Sequence, residues 1–432
     1  MKIVQLTPGA GEMYCGNCFR DNALVTQWNH IGHQAIMVPL YLPLTLDEED
    51  QSAKQPIFFG GVNVYLEQRL PWLWRFAPKI LRNILDTRWL LKRIGKHAVG
   101  TQASQVGKLA VSMFRGENGR QRRDLQTLTD WLKTEQQPDV VLFSNALLLG
   151  MHRMIKKETG AKTVCFLSGE DGFLDAIKEP FRSEAWNLTK KNLNGVDLLI
   201  APSRYYAEYI SKRLEIEPGK IRVVPNGLRF DGYEDDTQTA KEFDAPTFGF
   251  FARMSFEKGL DKLITVYTEL RKRNAVPGLK LIVGGNLNPW NEILVDIVKL
   301  RLRIDDLLAE ASFHPNVSRT EKIRLLKSMD VFCVPTQGNE PFGYYVLEAI
   351  AAGVPVMLPN RAAFPEILAT IGGGVLYEPN NQNQMIEMVE QLFLDENRRK
   401  ELTATSREKV REHYSIERVA QIILDLISEK QD

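Results

Sequence analysis

The apolar positions of the first half fall in short unbroken runs, separated by longer stretches with helical spacing. Residues 2–6 predict a strand, stopped at once by Pro8-Gly9. A loop over 8–17 carries Gly9, Gly11 and Gly16. A helix follows over 18–29, with Ala23, Leu24, Trp28 and Ile31 on its apolar side, and Gly32-His33 ends it before a strand at 35–40. Strand, glycine loop, helix, strand is a βαβ unit with a right-handed crossover. Further strands are predicted at 139–144, 162–167 and 196–201, the last followed by Pro202-Ser203 as a helix cap. Runs that are apolar throughout and separated by helices imply a mostly parallel sheet covered on both faces.

Residues 228–246 break this pattern. They are polar and acidic, with Glu234-Asp235-Asp236 at their centre, and predict a linker. The βα alternation then restarts, with strands at 247–252, 279–283, 331–335 and 355–358. Helices are predicted at 258–273, 290–308, 319–328, 344–352, 382–397 and 414–430. The fold class is therefore α/β, with two Rossmann-like domains of similar size, 1–227 and 247–406, facing each other across a cleft formed at their C-terminal strand ends.

Composition narrows the function. Lys plus Arg total 55 and Asp plus Glu 54 in 432 residues, a net charge of +1, which argues against a dedicated nucleic-acid partner. No run approaches ~20 uncharged apolar residues and no signal-peptide core is visible, so a cytoplasmic protein is expected. Cys165 and Cys333 sit in apolar runs and read as small buried hydrophobes. Cys15 and Cys18 form a lone CxxC, open to packing, redox or metal readings; structural zinc would need a second pair of ligands. Residues 69–97 interleave Trp72, Trp74, Phe76 and Trp89 with eight Lys or Arg against the single acid Asp86. Three readings stand for this segment: an ordinary helical pair with a solvated basic face, a cover contacting acceptor or phosphate, or a peripheral contact with an anionic inner-membrane surface.

The sharpest chemical signal is the segment from Glu340 to Val356. Pro341-Phe342-Gly343-Tyr344 leads from a strand into a helix, Gly343 permits a positive φ, and the helix N-terminus offers N–H groups to an anion. Glu340 before the helix and Glu348 within it are two carboxylates placed to accept hydrogen bonds from the hydroxyls of a sugar-bearing ligand. A second signal is Ala252-Arg253 with Lys258-Gly259, two cations around a strand-to-helix turn that would clamp a diphosphate. Asn226, in Val224-Pro225-Asn226-Gly227, and Gly285, in Gly284-Gly285-Asn286, are weaker turn signals of the same kind. No GxGxxG follows the first strand, which argues against a nicotinamide cofactor, and no Asp-x-Asp metal motif stands out.

Together these segments resemble a retaining GT-B glycosyltransferase of the glycosyltransferase family 4, or glycosyl transferases group 1, type. The family's Glu-x7-Glu signature appears as Glu340 and Glu348, and its Arg and Lys motif as Arg253 and Lys258. The resemblance implies that Arg253 and Lys258 bind the donor diphosphate, that Glu340 contacts the transferred sugar, and that Glu348 holds the nucleotide ribose. It implies that the loop containing Gly11 and Gly16 approaches the donor phosphates or the acceptor. It also implies that a C-terminal helix within 407–432 crosses back to the first domain. Many members carry a histidine after the strand at 162–167. This chain has Ser168-Gly169-Glu170-Asp171 instead, so Glu170 or Asp171 takes part of that role, or both cap the next helix or face solvent. The implied activity is sugar transfer, without metal or other cofactor, from a nucleoside diphosphate sugar to a sugar, lipid or small-molecule acceptor. The rivals are a sugar-nucleotide hydrolase or epimerase of the same fold, and a membrane-surface binding protein with a degenerate cleft.

Overall fold

The computed structural model describes residues 1–9, 15–60, 106–217, 219–234 and 241–429. Gly11, the segment 69–97 and the acidic stretch 235–240 lie outside the described residues. The chain divides into two compact units, one of Met1–Pro225 with Val419–Asp432 and one of Asn226–Arg418.

The first unit is a six-stranded parallel sheet. Its strands are β1 (Lys2–Thr7), β2 (Gln34–Pro39), β3 (Val140–Phe143), β4 (Lys162–Phe166), β5 (Leu198–Ala201) and β6 (Ile221–Val223), in the spatial order β2-β1-β3-β4-β5-β6. Ile3 pairs with Ala35 on one side and Val140 on the other, the register that puts the apolar run of β1 at the centre of the sheet. The strands β3 and β5 are buried at every position, as expected where helices cover both faces. Among those helices are Gly16–His30, His152–Thr159 and Arg204–Leu214. Ser203 caps the last of these, accepting a hydrogen bond from Tyr206 N. The C-terminal helix Ile416–Ser428 contributes its last part to this unit. Ala420 O accepts from Trp28 Nε1 at 3.2 Å, and Ile427 O from Lys162 Nζ at 2.6 Å.

The second unit repeats the plan. Its strands are β7 (Thr247–Phe251), β8 (Lys280–Gly285), β9 (Ala311–Pro315), β10 (Val331–Cys333), β11 (Val356–Pro359) and β12 (Gly374–Tyr377), in the order β12-β11-β10-β7-β8-β9. The order reverses between β1 and β3 in the first sheet and between β7 and β10 in the second. Ligands of open α/β sheets bind outside the C-terminal strand ends at such switch points.

Three strands were not expected from the sequence: β6, β9 and β12. All are sheet edges, short or half-exposed, so none shows a continuous apolar run. The helix expected over 382–397 is two helices, Gln382–Leu394 and Glu396–Thr403, because Asp395 accepts from Arg398 N and starts a new one. The stretch expected as a linker is packed at its beginning. Leu228 exchanges hydrogen bonds with Tyr414 O and Ile416 N, and Tyr233 is fully buried.

Candidate active site

The sequence places Arg253, Lys258, Glu340 and Glu348 over almost a hundred residues, and the second sheet brings their segments together at its switch point. The loop after β10 is bonded to the loop after β7. Gln337 N and Thr336 Oγ1 both donate to Glu257 O, and Gln337 Nε2 donates to Phe256 O at 2.9 Å. Gly259 caps the helix Leu260–Lys272 with φ 75°, and a Cβ there would lie 2.1 Å from Pro335 O. Only glycine permits this approach, which carries Lys258 against the β10 loop.

Lys258 Nζ forms an ion pair with Glu340 Oε2, and both side chains are nearly buried, at 12% and 11% exposure. Tyr345 OH donates to the same carboxylate oxygen at 2.9 Å, and Lys258 Nζ lies 5.5 Å from the centre of the Tyr345 ring. Burial, with Glu340 adding to it, pushes the Tyr345 hydroxyl well above its ordinary pKa, so it stays a donor. Gly343 has φ 89° and caps the helix Tyr344–Ala351, as the sequence predicts. Glu348, one turn in, pairs with Lys322 at 2.8 Å. Lys322 belongs to the helix Arg319–Lys327 and was not singled out by sequence reasoning, since a lysine on an amphipathic helix carries no local mark. Arg253 is half exposed and, among the described residues, pairs with Glu257 at 3.1 Å in a solvent-facing ion pair. Gly285, with φ 125°, comes so close to Ala252 O that a Cβ would lie at 1.9 Å. Asn316 N donates to Gly285 O, tying the ends of β7, β8 and β9 together.

Phe342, in the segment that leads into this helix, is buried, edge-on to Tyr344 and Tyr414. It supports the helix start from inside. Tyr344 and Asn226 are half-buried, the latter just beyond β6.

In the first unit the expected pair Glu170 and Asp171 is held by donors of the fold itself. Both are buried in the first turn of the helix Glu170–Ala176. Glu170 accepts from Ala146 N at 2.9 Å and from Ser168 N, and the single hydroxyl proton of Tyr206 is shared between Glu170 Oε2 and Asp171 Oδ1, each 2.9 Å from the oxygen. The Glu170 carboxylate is thus occupied in tying the ends of β3 and β4 together, and burial raises its pKa. Beside it stands a cluster that the sequence did not announce. Arg20 is bidentate to Asp21 Oδ1, at 3.0 and 2.7 Å, and donates to Ser168 Oγ at 2.6 Å and to Ser144 O at 2.8 Å. Its guanidinium lies 4.1 Å over the Phe166 ring.

Gly16 opens the helix Gly16–His30 and is exposed. Cys15 is its N-cap residue and Cys18 lies buried in the first turn. Hydrogen bonding from Cys18 lowers the Cys15 thiol to about 7, while the same bond and burial push Cys18 up. Cys165 and Cys333 are buried, as expected. In the native protein Cys15 is expected to be alkylated first by iodoacetamide, at a rate half-maximal near pH 7, with the other three thiols lagging by peptide mapping. Equal labelling of all four would contradict the assignment. Among the described residues, no group of three or more His, Cys, Asp or Glu side chains is placed to hold a metal ion. No described helix is long and apolar enough to cross a membrane.

The family Glycosyltransferase Family 4 matches residues 24–231, and Glycosyl transferases group 1 matches residues 233–409. The chain belongs to these GT-B glycosyltransferase families. An uncharacterized glycosyltransferase of Methanocaldococcus jannaschii is 25% identical over 51% of this chain and 57% of its own length. A GDP-mannose-dependent alpha-(1-6)-phosphatidylinositol monomannoside mannosyltransferase of Mycobacterium tuberculosis is 27% identical over 48% of this chain and 55% of its own. The chain thus matches little more than half the length of these relatives. In fold, this GT-B chain is similar to sucrose-phosphate synthase of Thermosynechococcus elongatus, with TM-score 0.69, 14% identity and coverage of 99% of this chain and 98% of that one. It is likewise similar to Anabaena HepE, solved in complex with UDP, with TM-score 0.64, 15% identity and coverage of 99% and 100%.

Proposed function

We propose that this chain is a metal-independent, retaining glycosyltransferase that moves a sugar from a nucleoside diphosphate sugar to an acceptor hydroxyl. The observation that carries the reading is the pairing of Lys258 with Glu340 and of Lys322 with Glu348 around one helix start at the sheet's switch point. Two carboxylates and two ammonium groups, each nearly buried, are held where a sugar nucleotide would meet hydroxyl-binding acids and phosphate-binding cations side by side. Anabaena HepE, solved with UDP-glucose, shares the fold and supports a sugar-nucleotide donor.

In the proposed reaction the bond between the anomeric carbon and the diphosphate oxygen breaks, and the acceptor oxygen bonds to that carbon on the same face. The acceptor proton passes to the departing diphosphate. Negative charge grows on the leaving group, and Lys258, Arg253 and the positive end of the helix Tyr344–Ala351 stabilise it without a metal. Glu340 is the sugar-contacting acid and Glu348 the ribose acid, held in place before binding by Tyr345 and Lys322 respectively. Glu170 and Asp171 are positioning residues for the loop Ser168–Gly169, acting through backbone N–H groups and Tyr206. Membrane contact through 69–97 stays part of the proposal on composition alone, as does a lipid acceptor.

The test is binding and turnover against UDP-, GDP- and ADP-sugars with and without EDTA, with the anomeric configuration of the product read by NMR. One nucleotide preferred, activity unchanged by EDTA and retained configuration are expected. Inverted configuration, or donor consumption that no acceptor accelerates, would overturn the reading in favour of another chemistry. Glu348→Ala should raise the donor KM by about tenfold or more while changing kcat less, because a ribose contact is kept from ground state to transition state.

A further inference from the structure

The helix Glu292–Ile304 is apolar on two faces. Leu294, Val295, Val298 and Leu302 are buried in the second unit. Ile293, Ile297, Leu300 and Ile304 are 52% to 73% exposed, and Trp290, just before the helix, is 43% exposed. These five positions advance by three, four, three and four residues, the spacing of a coiled-coil seam. The other exposed large hydrophobics among the described residues, such as Val223, Phe256 and Leu394, are scattered singly.

We propose that this seam joins two copies of the chain, with the two helices antiparallel about a twofold axis. The flanking charges argue for this occupant. Aligned antiparallel, Ile297 faces Leu300 of the partner subunit and Ile293 faces Ile304 of the partner subunit. Asp296 then lies beside Arg303 of the partner subunit, and the twofold axis repeats the pair. Both residues are exposed, and neither forms an ion pair with another described residue. The other two cations of this stretch are turned back on their own chain: Lys299 lies 4.9 Å over the Phe313 ring, and Arg301 donates to Thr265 Oγ1 at 2.8 Å. Glu292 and Asp296 beside the seam disfavour an anionic lipid surface as the occupant. A seam of about 20 Å is short, so the contact falls at the lower end of stable interfaces and the dimer depends on concentration.

Sedimentation velocity on the full chain, across about 1 to 100 µM, tests this. The wild type is expected to pass from monomer to dimer within that range, and Ile297→Glu to remain monomeric with an unchanged melting temperature. Asp296→Arg and Arg303→Asp should each weaken the dimer by about tenfold or more, because each sets like charges opposite one another. Mixing the two variants should restore association as a mixed dimer, a result that damage to folding cannot produce. A wild type that stays monomeric, or a dimer indifferent to Ile297→Glu, would overturn the proposal. So would a monomer that sediments with phosphatidylglycerol vesicles only while Ile297 is present, which would assign the seam to a lipid surface.

Discussion

Lys258→Ala is expected to lower kcat/KM by about 100- to 1,000-fold, the loss seen when one preorganised group is removed from a growing negative charge. The effect should fall on kcat and on nucleotide affinity together, since free diphosphate and departing diphosphate both meet the ammonium. Stability should change much less. Glu340 loses its cation but keeps the hydrogen bond from Tyr345, so the cost is on the order of 1–2 kcal/mol. Arg253→Ala is the informative contrast. Its pair with Glu257 is half exposed on both sides and contributes within about 0.5 kcal/mol to folding, so any loss of turnover there is functional. Lys258→Arg should recover little, because the short approach set by Gly259 leaves a compact ammonium beside Glu340 where a planar fork needs a wider space. Transfer kinetics with purified donor, paired with melting curves, check all three variants. Wild-type kcat/KM in Lys258→Ala would remove the diphosphate role from this residue.

The chain's sequence makes its interior strands easy to read and its edges hard. Residues such as 140–143 and 198–201 are buried on both faces, so their apolar runs are unbroken. At β6, Arg222 and Val223 face outward on an edge, and at β9 the run Ala-Ser-Phe-His-Pro is only half covered. No period of two or 3.6 survives in segments so short. The residues proposed for the donor side stand out in the sequence for a related reason. Lys258 precedes Gly259, Glu340 lies three residues before Gly343 and Glu348 five after it, and both glycines adopt positive φ in the structure. Lys322 and Tyr206 lack such punctuation, and Tyr345, two residues after Gly343, carries no mark of the acid it meets. Their roles come from tertiary placement: a lysine reaching from one helix to the next, or a tyrosine hydroxyl meeting two acids thirty-six and thirty-five residues before it. The same holds for Glu170 and Asp171. The resemblance leaves them either a sugar contact or a structural place at the next helix, and no local pattern announces that Glu170 meets the backbone N–H groups of Ala146 and Ser168, donors that a buried carboxylate takes.

Arg20→Ala should be the most destabilising of the substitutions considered, at about 3–5 kcal/mol, because it strips the cation from a carboxylate with no exposure at all. The guanidinium also holds Ser144 O and Ser168 Oγ, at the C-terminal ends of β3 and β4, so its removal loosens the switch point of the first sheet as well. The deficit should depend on pH in a definite direction. Burial raises the Asp21 pKa and Arg20 opposes that rise, so without Arg20 the folded-state pKa climbs further. An acid raised above its unfolded value stabilises the fold below the unfolded pKa, and that contribution is lost as pH rises through the folded value. The variant's deficit is therefore largest at neutral and alkaline pH and shrinks toward acid, where Asp21 is protonated in both states. Urea unfolding of wild type and variant at several pH values measures it. A deficit independent of pH would mean that lost packing on Phe166, not the bared charge, is what Arg20→Ala costs. The paired variant Arg20→Met with Asp21→Asn decides the matter separately. It removes both charges while keeping the volume, so it should recover most of the loss if the charge is the cause, because a buried ion pair replaced as a whole is often nearly neutral for folding.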